Sequence, residues 1–460
     1  MSESLKQALD LSLFWEYRAI LLQGLVFNAL VFLCGAVLAV SAGLGAALMR
    51  VNRFFPMRLI GTLHVELFRN APDYVMLVWV HFVLPLLIGL LIRRRIEFHP
   101  FVSSVIALGL VYSGYFAETF RAGIEAIPRG NLDAARGFGM SVRTADFAAH
   151  HAAPSHPWHA ARGAQPIRLA IQGDNHRVAD RGAGPDVCGL DGHPAGDASL
   201  TALYRGGAHV FFPHPDALKR RAGFQRALAP QDPGVTMDNW ERLVWNQRDA
   251  LIAGFAVTVE VCVIAFFAAI IGGLVLCVVR LYIAPLRPIA ILLIEFFRDT
   301  PIFVQLMWVS YVWPELFGFP GSFFSAGWIA LGLQSSGYLA ETFRTGIEGV
   351  PRGQREAAFS AGMSPAQTFS RIVMPQVVLA TAPSIVNQFT VIVKSSTLVS
   401  VITVPDLMSQ SQRLVNIWYE PIEILTATAG IYILFVFLVS SAGKRLADHL
   451  RQRYGLATTF

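Results

Sequence analysis

Long apolar stretches constrain this chain more than any other feature of its sequence. Between residues 237 and 460 they lie at 253–279, 302–317, 324–343, 377–403 and 424–441, and earlier in the chain they lie at 22–49, 74–92 and 101–120. Stretches of this length suit helices that cross ~30 Å of hydrocarbon. Helices are expected because lipid offers no hydrogen bonds to an open backbone. The sequence therefore predicts an all-α integral membrane protein, in which Pro314 shortens or kinks the span at 302–317.

The composition supports a membrane protein and argues against nucleic acid as a partner. The chain is 54% apolar and 15% charged, whereas a soluble domain is about 25% charged. The net charge of +6 comes largely from Arg and Lys that flank the apolar stretches, where such residues set topology. The four Cys form no CxxC pair, so we expect no disulfide framework, no metal site and no cofactor.

Basic residues predict the topology of the second half. They follow its first, third and fifth apolar stretches, as Arg280, Arg287, Arg344, Arg352, Arg355, Arg371, Lys444, Arg445, Arg451 and Arg453. The positive-inside rule then puts the C-terminus in the cytoplasm. Arg93, Arg94 and Arg95 lie on the predicted outside and oppose the rule, and we have no physical account of them.

The two halves repeat one another in parallel. The sequence from Ser113 to Arg121 recurs with one change from Ser336 to Arg344, and Glu66-Leu-Phe-Arg recurs as Glu295-Phe-Phe-Arg. The match ends soon after Gly139 and its counterpart Gly362. This pattern predicts three segments: a truncated copy with three spans at 1–144, an irregular segment at 145–236 and a complete copy with five spans at 237–460.

The segment 145–236 is interpreted as an out-of-frame translation. If one base is dropped and the codons are read again, residues 171–187 can encode a segment that matches residues 393–408 at most positions. A net one-base shift between Thr144 and His150 would destroy spans four and five of the first copy. The alternative is a zinc site formed by His150, His151, His156 and His159, which the shifted reading disfavours because it accounts for these residues without a metal.

A short motif between spans three and four of the second copy resembles a known family signature. Glu356, Ala357, Ala358 and Gly362, followed by a proline, resemble the EAA signature of the permease subunits of ABC importers. Val404-Pro405-Asp406 resembles the polar amino acid branch, the histidine, glutamine and glutamate uptake type. The resemblance implies a type I importer permease fold in the inner membrane of a bacterial cell, and a subunit that forms the path of an ATP-driven amino acid importer.

The same resemblance implies partners and a coupling loop. The partners are a pair of ATP-binding subunits, a periplasmic or extracellular substrate-binding protein, a second permease subunit, lipid and a polar amino acid. The EAA residues would couple to the ATPase, and the first copy has the counterparts Asp133, Ala134, Ala135 and Gly139. The chain has no GxxxxGK[ST] loop, so ATP hydrolysis is expected on a separate subunit and this chain is expected not to be an enzyme.

Polar residues in and just beyond span four are candidates for the substrate path, because such residues are costly in lipid. They are Asn387, Gln388, Lys394 and Ser395. The alternatives are hydrogen bonds between helices, or a lysine that reaches toward the membrane surface. Two structural expectations accompany them: Glu341 pairs with Arg344, and Gly272-Gly273 forms a packing seam between helices.

Two other functions stay open at the level of sequence. A secondary transporter would use an ion gradient, which five spans per copy and an EAA-like loop disfavour. A non-functional fused product of a frameshifted gene pair is compatible with the family resemblance. The residues leave open the particular amino acid, the residues that contact it, and whether the importer is a homodimer or a heterodimer.

Overall fold

The computed structural model describes residues 15, 17–52, 54–127, 130–131 and 240–453, and every regular element among these residues is helical. Two compact units are present: Met1–Glu118 with Asp232–Phe460, and Thr119–Gln231. In the second unit the structure describes residues 119–127 and 130–131. Residues 119–125 form the last part of the helix Pro100–Glu125. The irregular segment 145–236 predicted from the sequence lies outside the described residues.

The segment predicted as the first copy has three apolar helices and one amphipathic helix among its described residues. They are α1 (Arg18–Val51), α2 (Phe55–Asn70), α3 (Asp73–Ile92) and α4 (Pro100–Glu125). Three of them contain the apolar stretches expected at 22–49, 74–92 and 101–120. The sequence missed α2, whose apolar residues occupy one face only and whose first turn contains Pro56, a favoured position for proline.

The complete copy follows the same order and then continues. Its helices are α5 (Arg248–Tyr282), α6 (Arg287–Asp299), α7 (Ile302–Met307), α8 (Trp313–Phe317), α9 (Phe323–Glu348), α10 (Arg352–Ser360), α11 (Pro365–Thr368), α12 (Met374–Ser395), α13 (Leu407–Trp418) and α14 (Pro421–Arg453). A π-helical turn at Trp308–Val312 separates α7 from α8, and Pro314 lies in the first turn of α8. The interruption expected near Pro314 is therefore present.

Among the described residues, six helices are long and apolar enough to cross a membrane: Arg18–Val51, Asp73–Ile92, Pro100–Glu125, Arg248–Tyr282, Pro365–Ile402 and Pro421–His449. The apolar stretch Ile302–Phe317 is shorter. Helix α9 has the length but is rich in small and polar residues that face neighbouring helices. The division into three and five spans stays a prediction.

The fourth predicted span reaches Ile402, close to the expected end at residue 403, but its helix type changes before that end. Helix α12 stops at Ser395, and a 3₁₀ helix, Ser396–Ile402, follows it. The hydroxyl of Ser396 donates to the carbonyl of Val393 at 2.8 Å, and that of Ser400 donates to the carbonyl of Thr397 at 2.8 Å. These bonds to carbonyls three residues earlier accompany the tighter winding, which Thr403 ends with a left-handed backbone (φ 64°).

Helices α5 and α9 pack through the glycine seam that the sequence predicted. A Cβ atom at Gly273 would lie 2.8 Å from the Cβ of Leu339 and 3.1 Å from the backbone nitrogen of Ala340. The first copy has the same feature, since a Cβ at Gly43 would lie 2.9 Å from the carbonyl oxygen of Ser113 on α4. Small residues let the two backbones approach closely in both copies.

An ion pair links the same two helices in both copies. In the first copy Arg50 on α1 pairs with Glu118 on α4, and in the second Arg280 on α5 pairs with Glu341 on α9 at 2.8 Å. The predicted pair between Glu341 and Arg344 is also present, at 2.5 Å. The sequence missed Arg280, because the distance between α5 and α9 is set by the glycine seam.

Candidate functional site

The EAA residues lie on a helix that ends in a tight turn. Helix α10 begins after Pro351, and Gly362 follows its end with φ +79°. The N–H of Met363 donates to the carbonyl of Ala358 at 3.0 Å, and the N–H of Gly362 donates to that of Phe359 at 2.9 Å. This is the Schellman arrangement, in which one residue has a left-handed backbone conformation. Glycine adopts that conformation without strain. The turn expected at Gly362 is therefore present.

A capped second helix follows the turn directly. The Ser364 hydroxyl accepts from the backbone N–H of Gln367, and the Gln367 side chain accepts from the N–H of Ser364 at 3.0 Å. This reciprocal cap starts α11 with Pro365 in its first turn. The amide of Gln376 on α12 donates to the Gln354 side chain on α10 at 2.6 Å. The two short helices therefore form a fixed helix–turn–helix joined to α12.

The helix–turn–helix presents one of its sides outward. Glu356, Ala357 and Phe359 are exposed, whereas Ala358 is buried. A large exposed aromatic beside a small residue and a carboxylate can enter a groove on another protein. The counterparts in the first copy, Asp133, Ala134, Ala135 and Gly139, lie outside the described residues.

The candidates for the substrate path lie in different environments. Gln388 is buried, and its amide donates to the Ser335 hydroxyl on α9 at 3.1 Å, which is a hydrogen bond between helices. Asn387 is exposed, and Ser395 is half-buried at the end of α12. The structure therefore does not bring Asn387 and Gln388 to one polar surface.

Lys394 contacts residues of the first copy. Its ammonium donates to the Tyr115 hydroxyl at 2.8 Å and to the backbone carbonyl of Arg69, and it lies 5.2 Å from the centre of the Tyr115 ring. The Asp73 carboxylate is within electrostatic reach of the same ammonium. Lys394 thus lies where the two copies meet. Nothing in the sequence pointed to Tyr115 or Asp73, because their proximity depends on how the copies pack.

Among the described residues, no group of three or more His, Cys, Asp and Glu is arranged to hold a metal ion. The histidines weighed as zinc ligands, His150, His151, His156 and His159, lie outside the described residues. The described part of the chain therefore offers two candidate features. One is the set of polar contacts around Lys394, and the other is the exposed side of the helix–turn–helix.

Known proteins resemble part of this chain. A family model described as the inner membrane component of binding-protein-dependent transport systems matches residues 265–455. The probable amino-acid ABC transporter permease protein y4tG of Sinorhizobium fredii is 35% identical over 202 residues, which cover 43% of this chain and 85% of that protein. The arginine transport system permease protein ArtQ of Bacillus subtilis is 31% identical over 204 residues, which cover 44% and 92%.

A solved structure also aligns with the chain. It is described as an amino acid ABC transporter with histidines, and it is 31% identical with a TM-score of 0.42, covering 45% of this chain and 96% of that one.

The six long apolar helices in the described part of the chain are those of an integral membrane protein. The chain belongs to the family of inner membrane components of binding-protein-dependent transport systems, which are the permease subunits of ABC importers. Subunits of this family couple the membrane path to a separate ATPase and are not themselves enzymes. The all-helical, type I permease fold expected from the sequence is confirmed.

Proposed function

We propose that residues 237–460 form the membrane path of an importer for a polar amino acid. Support comes from relatives whose names assign them to amino-acid and arginine transport and which this chain matches over most of their own length, and from the family model that matches residues 265–455. Asn387, Gln388, Lys394 and Ser395 remain the candidates for this path. Lys394 is the strongest of them, because it is an ionisable group within a membrane helix that meets other polar groups.

The helix–turn–helix of α10 and α11 would couple this path to ATP hydrolysis. Glu356, Ala357, Ala358 and Gly362 would dock in a groove on one of two identical ATP-binding subunits. The observation that carries the proposal is the exposed, capped surface around Phe359, which is tied to α12 by Gln354 and Gln376. A displacement of this surface would therefore reach α12, on which the path candidates lie.

The remaining partners follow from the same assignment. A periplasmic or extracellular binding protein would deliver the amino acid, and a second permease subunit would complete the path. The Lys and Arg that follow the apolar stretches of α9 and α14 support a cytoplasmic coupling loop and C-terminus. Residues 1–144 are assigned to a truncated copy and 145–236 to out-of-frame translation. A non-functional product of a disrupted gene pair is the second candidate, which the shifted match of 171–187 favours.

Uptake into proteoliposomes tests the function. The full chain is reconstituted with the ATP-binding subunit and the binding protein of its own transport system, and labelled arginine, glutamine and glutamate are offered. We expect uptake of at least one of them that requires ATP on the side of the ATP-binding subunit. Uptake that needs a proton gradient and no ATPase would instead indicate a secondary transporter, and no uptake would favour the non-functional product.

The substitution Gly362→Ala tests the coupling surface. Gly362 has open space around its Cβ position, so the strain comes from φ +79° and amounts to about 1 kcal/mol. We expect less uptake for each ATP hydrolysed, with normal insertion into the membrane. The matched control is Gly353→Ala on α10, where the Cβ also meets open space and φ is ordinary. Equal coupling in both variants would remove Gly362 from the coupling role.

A further inference from the structure

The second apolar stretch has a similar sequence in the two copies. Helix α3 of the first copy aligns with residues 302–317 of the complete copy, in register with the repeat of Arg69 and Arg298. The identical positions include Val75 and Val304, Leu77 and Leu306, Trp79 and Trp308, Val80 and Val309, and Val83 and Val312. Two surfaces with the same chemistry can therefore be compared directly.

One face of this stretch is buried in both copies. Val80 and Val309 are both buried, and so are the aligned Met76 and Gln305. These residues pack within their own copy. Their equal burial shows that the alignment is structural as well as sequential.

The opposite face is buried in the first copy and exposed in the second. Val75 is 3% exposed, whereas Val304 is 51% exposed. Trp308 and Tyr311 are 46% and 49% exposed, whereas Trp79 and Phe82, which align with them, are half-buried. Exposure alone would carry no weight, because lipid covers apolar faces in a membrane. The contrast between equivalent residues shows that this face is suited to protein contact.

The complete copy covers this face of α3. Val75 and Val83 join a buried cluster with residues of α13 and α14, namely Leu407, Met408, Leu414, Ile424, Leu425, Ala429 and Tyr432. These α13 and α14 residues are called the α13–α14 groove. The indole nitrogen of Trp79 donates to the Thr426 hydroxyl at 3.1 Å, and the amide of Gln412 donates to the Tyr74 hydroxyl at 3.1 Å. The contact is therefore apolar at its centre and hydrogen-bonded at its edges.

Lys394 adds a polar contact beside the groove. Its partners in the first copy are the Arg69 carbonyl and the Tyr115 hydroxyl. The complete copy has the aligned residues Arg298 and Tyr338, and the Tyr338 hydroxyl donates to the Arg298 carbonyl at 3.2 Å. The complete copy thus carries both the groove with its lysine and a full set of the residues that this lysine binds.

We propose that the complete copy would bind a second molecule of this chain through the α13–α14 groove. Helix α3 of the first copy occupies that groove within the same molecule. In the second molecule, the surface that would enter this groove is formed by Val304, Trp308 and Tyr311. Only the description of that partner as a permease subunit rests on the proposed function. The two surfaces compete for one groove, so the first copy acts as an internal substitute for the partner.

The covalent link favours the internal contact. A tethered segment competes at an effective concentration of about millimolar, whereas a second chain must be recruited from the bilayer. The intact chain is therefore expected to be monomeric in a dilute bilayer. Weakening the internal contact alone should release the groove for a second chain.

Counting chains in lipid vesicles tests the competition. The full chain is labelled at its C-terminus, and bleaching steps in single vesicles are counted over a range of protein-to-lipid ratios. We expect the unmodified chain and Trp308→Ala to be monomeric. Trp79→Ala, the same change at the aligned position, should tighten dimerisation by about tenfold, since large aromatic residues dominate such contacts. The double variant Trp79→Ala with Trp308→Ala should return to monomers.

Two results would overturn the proposal. One is an unmodified chain that dimerises as tightly as Trp79→Ala, and the other is a double variant that dimerises as tightly as Trp79→Ala alone. If Trp79→Ala fails to insert, Val83→Ala removes less volume from the same cluster, and Val312→Ala is its matched control. The count needs no transport, so its failure leaves the proposed function intact, and absent uptake leaves the count valid.

Discussion

Replacing Glu341 with glutamine should destabilise the contact between α5 and α9. The two carboxylate oxygens of Glu341 accept hydrogen bonds from Arg280 Nη1 at 2.8 Å, Arg344 Nε at 3.1 Å and Arg344 Nη2 at 2.5 Å. Glutamine keeps the shape but offers one acceptor oxygen. Its amide group would instead direct N–H bonds toward guanidinium donors. The change therefore removes the counter-charge of Arg280 and one of the two carboxylates that pair with Arg344.

The magnitude follows from burial. Removing one partner of a fully buried ion pair costs about 3 to 5 kcal/mol, and a hydrogen bond to a charged group contributes about 1.5 to 3 kcal/mol. The Glu341 side chain is 20% exposed, so water replaces part of the lost interaction. We expect Glu341→Gln to lower the free energy of unfolding by about 2 to 3 kcal/mol.

Glu348→Gln is the matched control. Glu348 lies on the same helix and pairs with the same Arg344, but its side chain is 52% exposed. Exposed pairs of this spacing contribute about 0.5 kcal/mol. The measurement is unfolding of the detergent-solubilised chain in increasing dodecyl sulfate, followed by far-ultraviolet circular dichroism. Equal losses in the two variants would refute the reasoning, because burial and the link to Arg280 would then have no effect.

Two further predictions concern packing and pH. Gly273→Ala should destabilise the protein by about 1 to 3 kcal/mol because the new Cβ would lie 2.8 Å from Leu339, whereas Gly430→Ala meets open space and should not, as unfolding in dodecyl sulfate would show. Burial raises the pKa of Asp406, between α12 and α14, to about 7, above about 3.9 in the unfolded chain. The free energy of unfolding should therefore fall as pH rises from about 4 to 7, because only the unfolded carboxyl loses its proton in that range. The variant Asp406→Asn keeps an acceptor for the Tyr432 hydroxyl and should reduce this dependence on pH. A slope that is unchanged in Asp406→Asn would contradict this assignment.

The sequence was most informative about local structure. Gly362 was expected to form a tight turn, and it has φ +79° in a Schellman arrangement. The pairing of Glu341 with Arg344 was expected from their spacing along one helix, and it is present. Both features depend on residues within one or two helical turns, so their geometry is fixed by the helix itself.

Predictions failed or were incomplete where distant parts of the chain decide the outcome. The fourth span extends to Ile402 as expected, but the change to a 3₁₀ helix after Ser395, which accompanies the hydroxyl bonds of Ser396 and Ser400, was not foreseen. Helices α2, α6 and α13 were missed because an amphipathic pattern is weaker than a continuous apolar one. The path candidates were chosen by polarity alone, and polarity did not distinguish the buried Gln388 from the exposed Asn387.

By itself, the sequence determined that this chain is helical and membrane-embedded, because apolar length and backbone hydrogen bonding in lipid admit few alternatives. Tertiary structure alone decided which of two similar surfaces is covered. Trp79 and Trp308 occupy equivalent positions, yet Trp79 lies against Thr426 and Trp308 is exposed. Lys394 likewise meets Tyr115, a residue 279 positions away. Contacts of this kind depend on which helices pack together in space, and local composition does not encode that choice.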